Sequence, residues 1–212
     1  GFKGLAARGA QAIPAVEKLL ADENPYVRAR AVWLLGRLGP DGATRAAKLL
    51  THEDPLMRVA AYRVARQAGS FMTYAGSLAR DASPAVRREV ALSLRDVPFE
   101  QSGHLLLELA KGYDGKDRSY LEAWGIGATG KEAALYAELA KTAPGRDAAA
   151  WPTSYSDLVW RLTPAAVAMS AIVMSDQSRC WSRSRAPSSS VSRNSSRAAT
   201  AYGVRSATAT EP

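Results

Sequence analysis

The side chains of this chain best equipped for chemistry are its arginines, and they fall into two sets. Arg30, Arg37, Arg63, Arg66, Arg88 and Arg95 lie off the apolar stripe of three successive helical patterns. A guanidinium presents paired N–H donors that suit a carboxylate or a phosphate. A row of them could therefore attract an acidic protein surface, a phosphate-bearing ligand or nucleic acid. Glu89 and Asp96 interrupt the row, and the competing reading is an ordinary solvated face. The other set, Arg28, Arg58, Arg87 and Arg118, keeps a beat of 30, 29 and 31 residues. An acid stands in the turn before each of these, Asp22, Asp54, Asp81 and Asp114. Pairing with that acid, or with the carbonyls that end the preceding helix, accounts for the recurrence better than a ladder for an anionic partner does.

Other chemistry finds no constellation. The only histidines, His52 and His104, have no Cys or His at ligand spacing, and the one cysteine, Cys180, stands beside Trp181. There is no Cys-x-x-Cys-His, paired-cysteine zinc pattern, Gly-rich phosphate loop or His-Glu-x-x-His. Gly125-Ile126-Gly127 followed by Gly130 resembles a nucleotide loop only superficially, because it closes a helical pattern and follows no strand. We therefore expect no catalytic residue, no metal site and no cofactor. His52 reads as a solvated turn residue and His104 as a helix-end residue, while Trp33, Trp124, Trp151 and Trp160 fit core or cap packing.

The elements that position the arginines recur with them. Pro25, Pro55 and Pro84 each stand three residues before an arginine of the periodic set, and Leu19, Leu49, Leu78 and Leu109 stand nine before. Around each proline the apolar residues step by three and four, as in Ile13, Val16, Leu19, Leu20 and then Val27, Ala31, Leu34, Leu35, Leu38. That period makes one stripe of an α-helix, whereas a strand would alternate. Proline at the first helical position loses no internal hydrogen bond, and Asn24, Asp54 and Ser83 just before it are suited to cap the free amides. The unit is helix, turn, helix. Glycine- and proline-containing breaks such as Gly39-Pro40 and Gly69-Ser70 separate the units. We expect about four and a half units over 1–164, the last pairing Glu132–Lys141 with a short Tyr155–Leu162 segment. Stacked units of this length form a solenoid in which each buries its apolar face on the next and the second helices line the concave side.

The formal net charge is +8, but half of the excess lies in 165–212, where six arginines face only Asp176 and Glu211. The body is thus mildly basic and mixed in sign, which is weak support for a polyanion partner. A single cysteine precludes an internal disulfide, and no apolar run is long enough for a membrane span. The stretch from Gly1 has no charged and apolar leader, so we expect no signal peptide within it, and a start at Gly in place of Met leads us to expect a fragment or a processed product of a larger protein. Between Ser175 and Thr200 stand ten serines and five arginines with almost no aliphatic residue. We expect a disordered tail over 165–212. A shift of reading frame past Pro164, a plain linker and a basic functional arm are its three readings.

The stretches DENPYVRARAVWLLGRLG, EDPLMRVAAYRVARQAG and DASPAVRREVALSLRD resemble short bacterial HEAT-type repeats over about 12–142. The resemblance implies an all-α, right-handed α-α superhelix (a HEAT-like solenoid) acting as a protein-interaction scaffold, although similar arrays include phycobilin lyases and DNA-binding glycosylases. A finer resemblance lies in YDGKDRSYLEAWGIGATGKE, Tyr113 to Glu132, and SDLVWRLTPAA, Ser156 to Ala166. These are similar to the repeat segment of large exported planctomycete-type proteins, which join a sugar-dehydrogenase-like propeller to a c-type cytochrome domain. The resemblance implies an exported redox parent, with a protein partner favoured over nucleic acid. It transfers no haem ligand, since this chain lacks the cytochrome motif.

Overall fold

A computed structural model of the chain describes residues 2–162, with side chains from residue 4 onward. The tail expected over 165–212 lies outside the described residues. A short α1 (Phe2–Ala7) precedes five helical hairpins, and no strand occurs among the described residues. The first helices are α2 (Ile13–Lys18), α4 (Pro40–Lys48), α6 (Met72–Leu78), α8 (Phe99–Lys111) and α10 (Glu132–Ala140). Their partners are α3 (Pro25–Leu35), α5 (Pro55–Gln67), α7 (Pro84–Ser93), α9 (Arg118–Gly127) and α11 (Thr153–Leu162). The fold is an all-α array of the HEAT-like kind. Its fifth hairpin has a complete second helix, which starts two residues before Tyr155.

The turns explain the proline beat. Pro25, Pro55 and Pro84 each open a second helix, where the missing N–H costs nothing. Asn24 Oδ1 accepts from the Tyr26 amide at 2.9 Å, and Asp54 Oδ1 from the Leu56 amide at 2.8 Å. Ser83 departs from the expected cap: its side chain makes no capping bond, and Asp81 Oδ1 instead accepts from the Ser83 amide at 2.8 Å. The fourth turn has no proline, and Asp117 caps α9 by accepting from the Tyr120 amide at 3.1 Å. Between hairpins the chain reverses through left-handed backbone, with Gly39 at φ 88° and Gly69 at φ 77°, a region costly for any residue with a Cβ.

Packing turns the hairpins into a row. Along it α3 packs on α5, α5 on α7, α7 on α9 and α9 on α11, while each first helix lies beside its own partner. The core runs through this stack as Val16, Val32, Leu35, Val86, Leu94, Leu106, Leu109 and Leu135, all sealed from solvent. Each such side chain contributes roughly 1.5–3 kcal/mol of burial. Polar atoms inside are satisfied: Tyr62 Oη meets Ser93 Oγ at 2.8 Å, and Trp124 Nε1 donates to the Leu106 carbonyl at 2.8 Å.

Gly127 sets how closely α9 approaches α7, whereas the neighbour at Gly125 is the movable end of a side chain. A Cβ on Gly127 would collide with the Ala91 carbonyl of α7, and one on Gly125 with the Arg161 guanidinium of α11. The Gly125-Ile126-Gly127 run therefore sits inside α9 as a packing surface, with both glycines buried.

Candidate functional site

The periodic arginines face inward to the turns. Arg28 Nη1 donates to the carbonyls of Asp22 and Glu23 at 3.0 and 3.1 Å. Arg58 does the same to His52 and Glu53 at 2.6 and 2.9 Å, and Arg87 to Asp81 and Ala82 at 2.6 and 3.0 Å. In each case the acceptors are the residues six and five positions earlier. One guanidinium thus ties the start of a second helix to the end of the first.

The remaining N–H groups of these arginines reach forward to the next hairpin. Arg28 Nη2 lies 3.5 Å from Asp54 Oδ2. Arg58 holds Asp81 through both carboxylate oxygens, at 2.8 and 2.7 Å. Arg87 Nη2 donates to the Gly112 carbonyl at 3.0 Å, and its guanidinium carbon lies 5.4 Å from the centre of the Tyr120 ring. Of the two partners expected within the arginine's own turn, the carbonyls are engaged and the acid's carboxylate is not; the further carboxylate or carbonyl belongs to the following turn. Arg118 breaks the series. It is exposed and pairs with Glu122 of its own helix at 2.8 Å, not with Asp114, and the equivalent acceptor, the Gly112 carbonyl, is already taken by Arg87.

Electrostatics follow the geometry. Burial opposes ionisation of Asp81, but the Arg58 guanidinium and the Ser83 amide outweigh it and hold its carboxyl below the usual range. At the far junction the Lys131 ammonium is buried and donates to the carbonyls of Gly127, Leu94 and Arg95 at 2.8, 3.0 and 2.8 Å. Burial pushes its pKa down, with Asp96 and Glu132 pulling the other way. Lys131 gave no sequence signal, because it reads as an ordinary loop lysine after Thr129-Gly130.

The six arginines off the apolar stripe divide in two. Arg63 Nη2 pairs with the buried Glu89 at 2.7 Å, Arg88 lies 3.8 Å from Asp117, and Arg95 lies 3.9 Å from its neighbour Asp96. Arg30, Arg37 and Arg66 are exposed and make no ion pair among the described residues. The unpaired cations thus gather on the first two hairpins.

That region also holds apolar groups that periodicity did not flag. Tyr26 is 77% exposed and Leu56 is 61% exposed. A groove of 310 Å³ between α3 and α5 is lined by Tyr26, Trp33, Leu56, Val59 and Arg63, among others. A second cavity of 450 Å³ continues past Trp33, lined by Arg30, Arg37 and Gln67. The signal was present in the variable residue after each proline: Tyr26 and Leu56 in the first two units, Ala85 in the third. Of the tryptophans expected in core or cap positions, Trp124 is buried, and Trp151 stacks edge-on against Tyr155 at 4.9 Å. Trp33 is half-buried and packs against the core from the groove, while Trp160 is 64% exposed and lies outside it.

His52 is half-buried, not freely solvated, and its Nδ1 accepts from the Asp54 amide at 3.0 Å. His104 lies exposed in the middle of α8, because that helix begins earlier than the leucine run suggests, at Phe99. Among the described residues no cluster of His, Cys, Asp and Glu could hold a metal ion, and no helix is long and apolar enough to cross a membrane.

Comparison with known proteins supports the repeat assignment. A family model described as HEAT repeats matches residues 13–75, which spans the first two hairpins and the start of α6. No curated protein and no solved structure matches the chain. Beyond residue 75, α7 opens on the same proline and arginine contacts as α3 and α5, which extends the HEAT-like pattern on geometry.

Proposed function

We propose that this HEAT-like array is a non-catalytic scaffold that binds another protein through the exposed side of its second helices. What supports this is the division of labour among its cations. Arg28, Arg58, Arg87 and Lys131 are consumed in fastening hairpin to hairpin. The second helices form an unbroken row whose exposed side carries the remaining arginines. Repeat arrays use such rows as extended binding surfaces.

Affinity capture with the full chain tests this. A variant reversing Arg30 and Arg66 to Glu should lose the partner that the wild type retains, whereas reversing the exposed Lys48 on α4 should not. Equal capture by both variants contradicts the proposal.

A finer reading places the array inside an exported redox protein, between an oxidising domain and a cytochrome acceptor. Its support is the resemblance carried by residues 113–132 and 156–166, whose described residues meet at one joint. Tyr113 Oη donates to Asp157 at 3.0 Å, and Arg161 Nε donates to Glu122 at 3.1 Å. Sequencing the flanking DNA tests it: a propeller upstream and Cys-x-x-Cys-His downstream are expected, and unrelated flanks contradict it.

A further inference from the structure

The groove between α3 and α5 has a chemistry that identifies its occupant more narrowly. Tyr26, Arg30 and Trp33 follow one another along α3 at intervals of four and three, so they form a single stripe, and Arg37, in the turn just past the helix, lines the same cavity as Arg30 and Trp33. Across the groove, Leu56, Val59 and Arg63 face them from α5, and Arg66 continues that line three residues on. One end is thus apolar, Trp33 lies in the middle, and the other end is cationic.

No acid in the groove can neutralise those cations. The only carboxylate lining it is Asp54, which caps the Leu56 amide and lies 3.5 Å from Arg28. Glu89, the nearest acid along the row, is held by Arg63. Burying large apolar side chains supplies affinity, and arginines at the rim select against like charge.

We infer that this groove is a docking site for a short acidic peptide segment bearing apolar or aromatic side chains. The inference rests on the scaffold reading and names its partner class. Tyr26 and Leu56 take the peptide's apolar side chains, Trp33 packs against its backbone or a ring, and Arg30, Arg37 and Arg66 hold its carboxylates. A nucleic acid fits less well. Its phosphates would find the arginines, but its backbone would also run over Leu56 and Val59, which offer it neither charge nor donors.

Fluorescence anisotropy with the full chain tests the assignment. The probes are a short fluorescein-labelled peptide alternating Asp and Glu with Leu and Phe, the same peptide with Lys in place of each acid, and a labelled single-stranded oligonucleotide. The acidic peptide should bind, and the Lys peptide should not. Reversing Arg37 and Arg66 to Glu should weaken the acidic peptide at least about tenfold. Leu56→Ala should weaken it several-fold with the melting curve unchanged, since Leu56 is exposed. The inference is overturned by no binding of the acidic peptide, by binding indifferent to both variants, or by an oligonucleotide that binds more tightly with the same dependence on Arg37 and Arg66. If the peptide fails while the Arg30 and Arg66 reversal still sheds the captured partner, this inference alone falls and the scaffold reading stands.

Discussion

Arg58 and Asp81 lie in different hairpins and meet through two parallel hydrogen bonds, Nε to Oδ2 at 2.8 Å and Nη2 to Oδ1 at 2.7 Å. The same guanidinium also holds the carbonyls of its own turn, and Asp81 in turn organises the turn that follows by accepting from the Ser83 amide. A repeat unit is therefore closed by its successor. Both side chains are largely shielded, with 14% and 9% exposure, which distinguishes this pair from exposed ones such as Arg45–Glu17 and Arg80–Glu108. Exposed pairs contribute about 0–1 kcal/mol each.

Asp81→Asn should cost about 2 kcal/mol, because it removes the charge that a shielded guanidinium faces. A chain of this length then loses about 4–8 °C in Tm, measurable by calorimetry. The folded carboxyl titrates below its unfolded value, so its stabilisation is present above the unfolded pKa and disappears as pH falls through the folded one. The difference between wild type and variant should accordingly shrink below about pH 4. A difference that stays constant into acid would contradict the assignment.

Gly127→Val should destabilise by about 1–3 kcal/mol or more, since the new side chain would press α9 away from the Ala91 carbonyl of α7. Gly76 on α6 is the control. Nothing lies near its missing Cβ, so Gly76→Ala should stabilise by about 0.5–1 kcal/mol. Chemical denaturation of the two variants reads both signs.

Burial pushes the Tyr62 phenol up to about 12, partly offset by its hydrogen bond to Ser93 and by the Arg66 charge. Tyr113 is pushed up to about 12 as well, by burial and then by the Asp157 acceptor. An acid whose folded pKa is raised keeps its proton longer when folded, so stability falls as pH rises from about 10 towards the folded value. Ultraviolet titration of phenolate should show a late step coupled to unfolding. Tyr62→Phe should reduce that step while costing about 1 kcal/mol near neutrality.

Much of this was legible in the chain. The proline, arginine and leucine beat located the hairpins, because local chemistry at a turn repeats whenever the turn does. What the beat did not carry was the register between units. Asp81 looks equally suited to Arg87, its own helix's arginine, and only stacking brings it to Arg58. Ser83 looked like a cap, yet its side chain makes no capping bond, and the side-chain contact at that turn is Asp81 accepting from the Ser83 amide itself. Arg63, Arg88 and Arg95 looked like members of one open row, and neighbouring helices supply Glu89 and Asp117 to two of them. Tyr26 and Leu56 were hidden for a different reason: each stands at a variable position beside an invariant-looking proline, where no periodicity applies.

Native-state hydrogen exchange on Asp81→Asn tests most directly that each hairpin is fastened by the next. Amide exchange should accelerate in α5 and α7 together, the helices on the two sides of the lost rung. Acceleration confined to the turn around Asp81, with α5 as protected as in the wild type, would contradict the account.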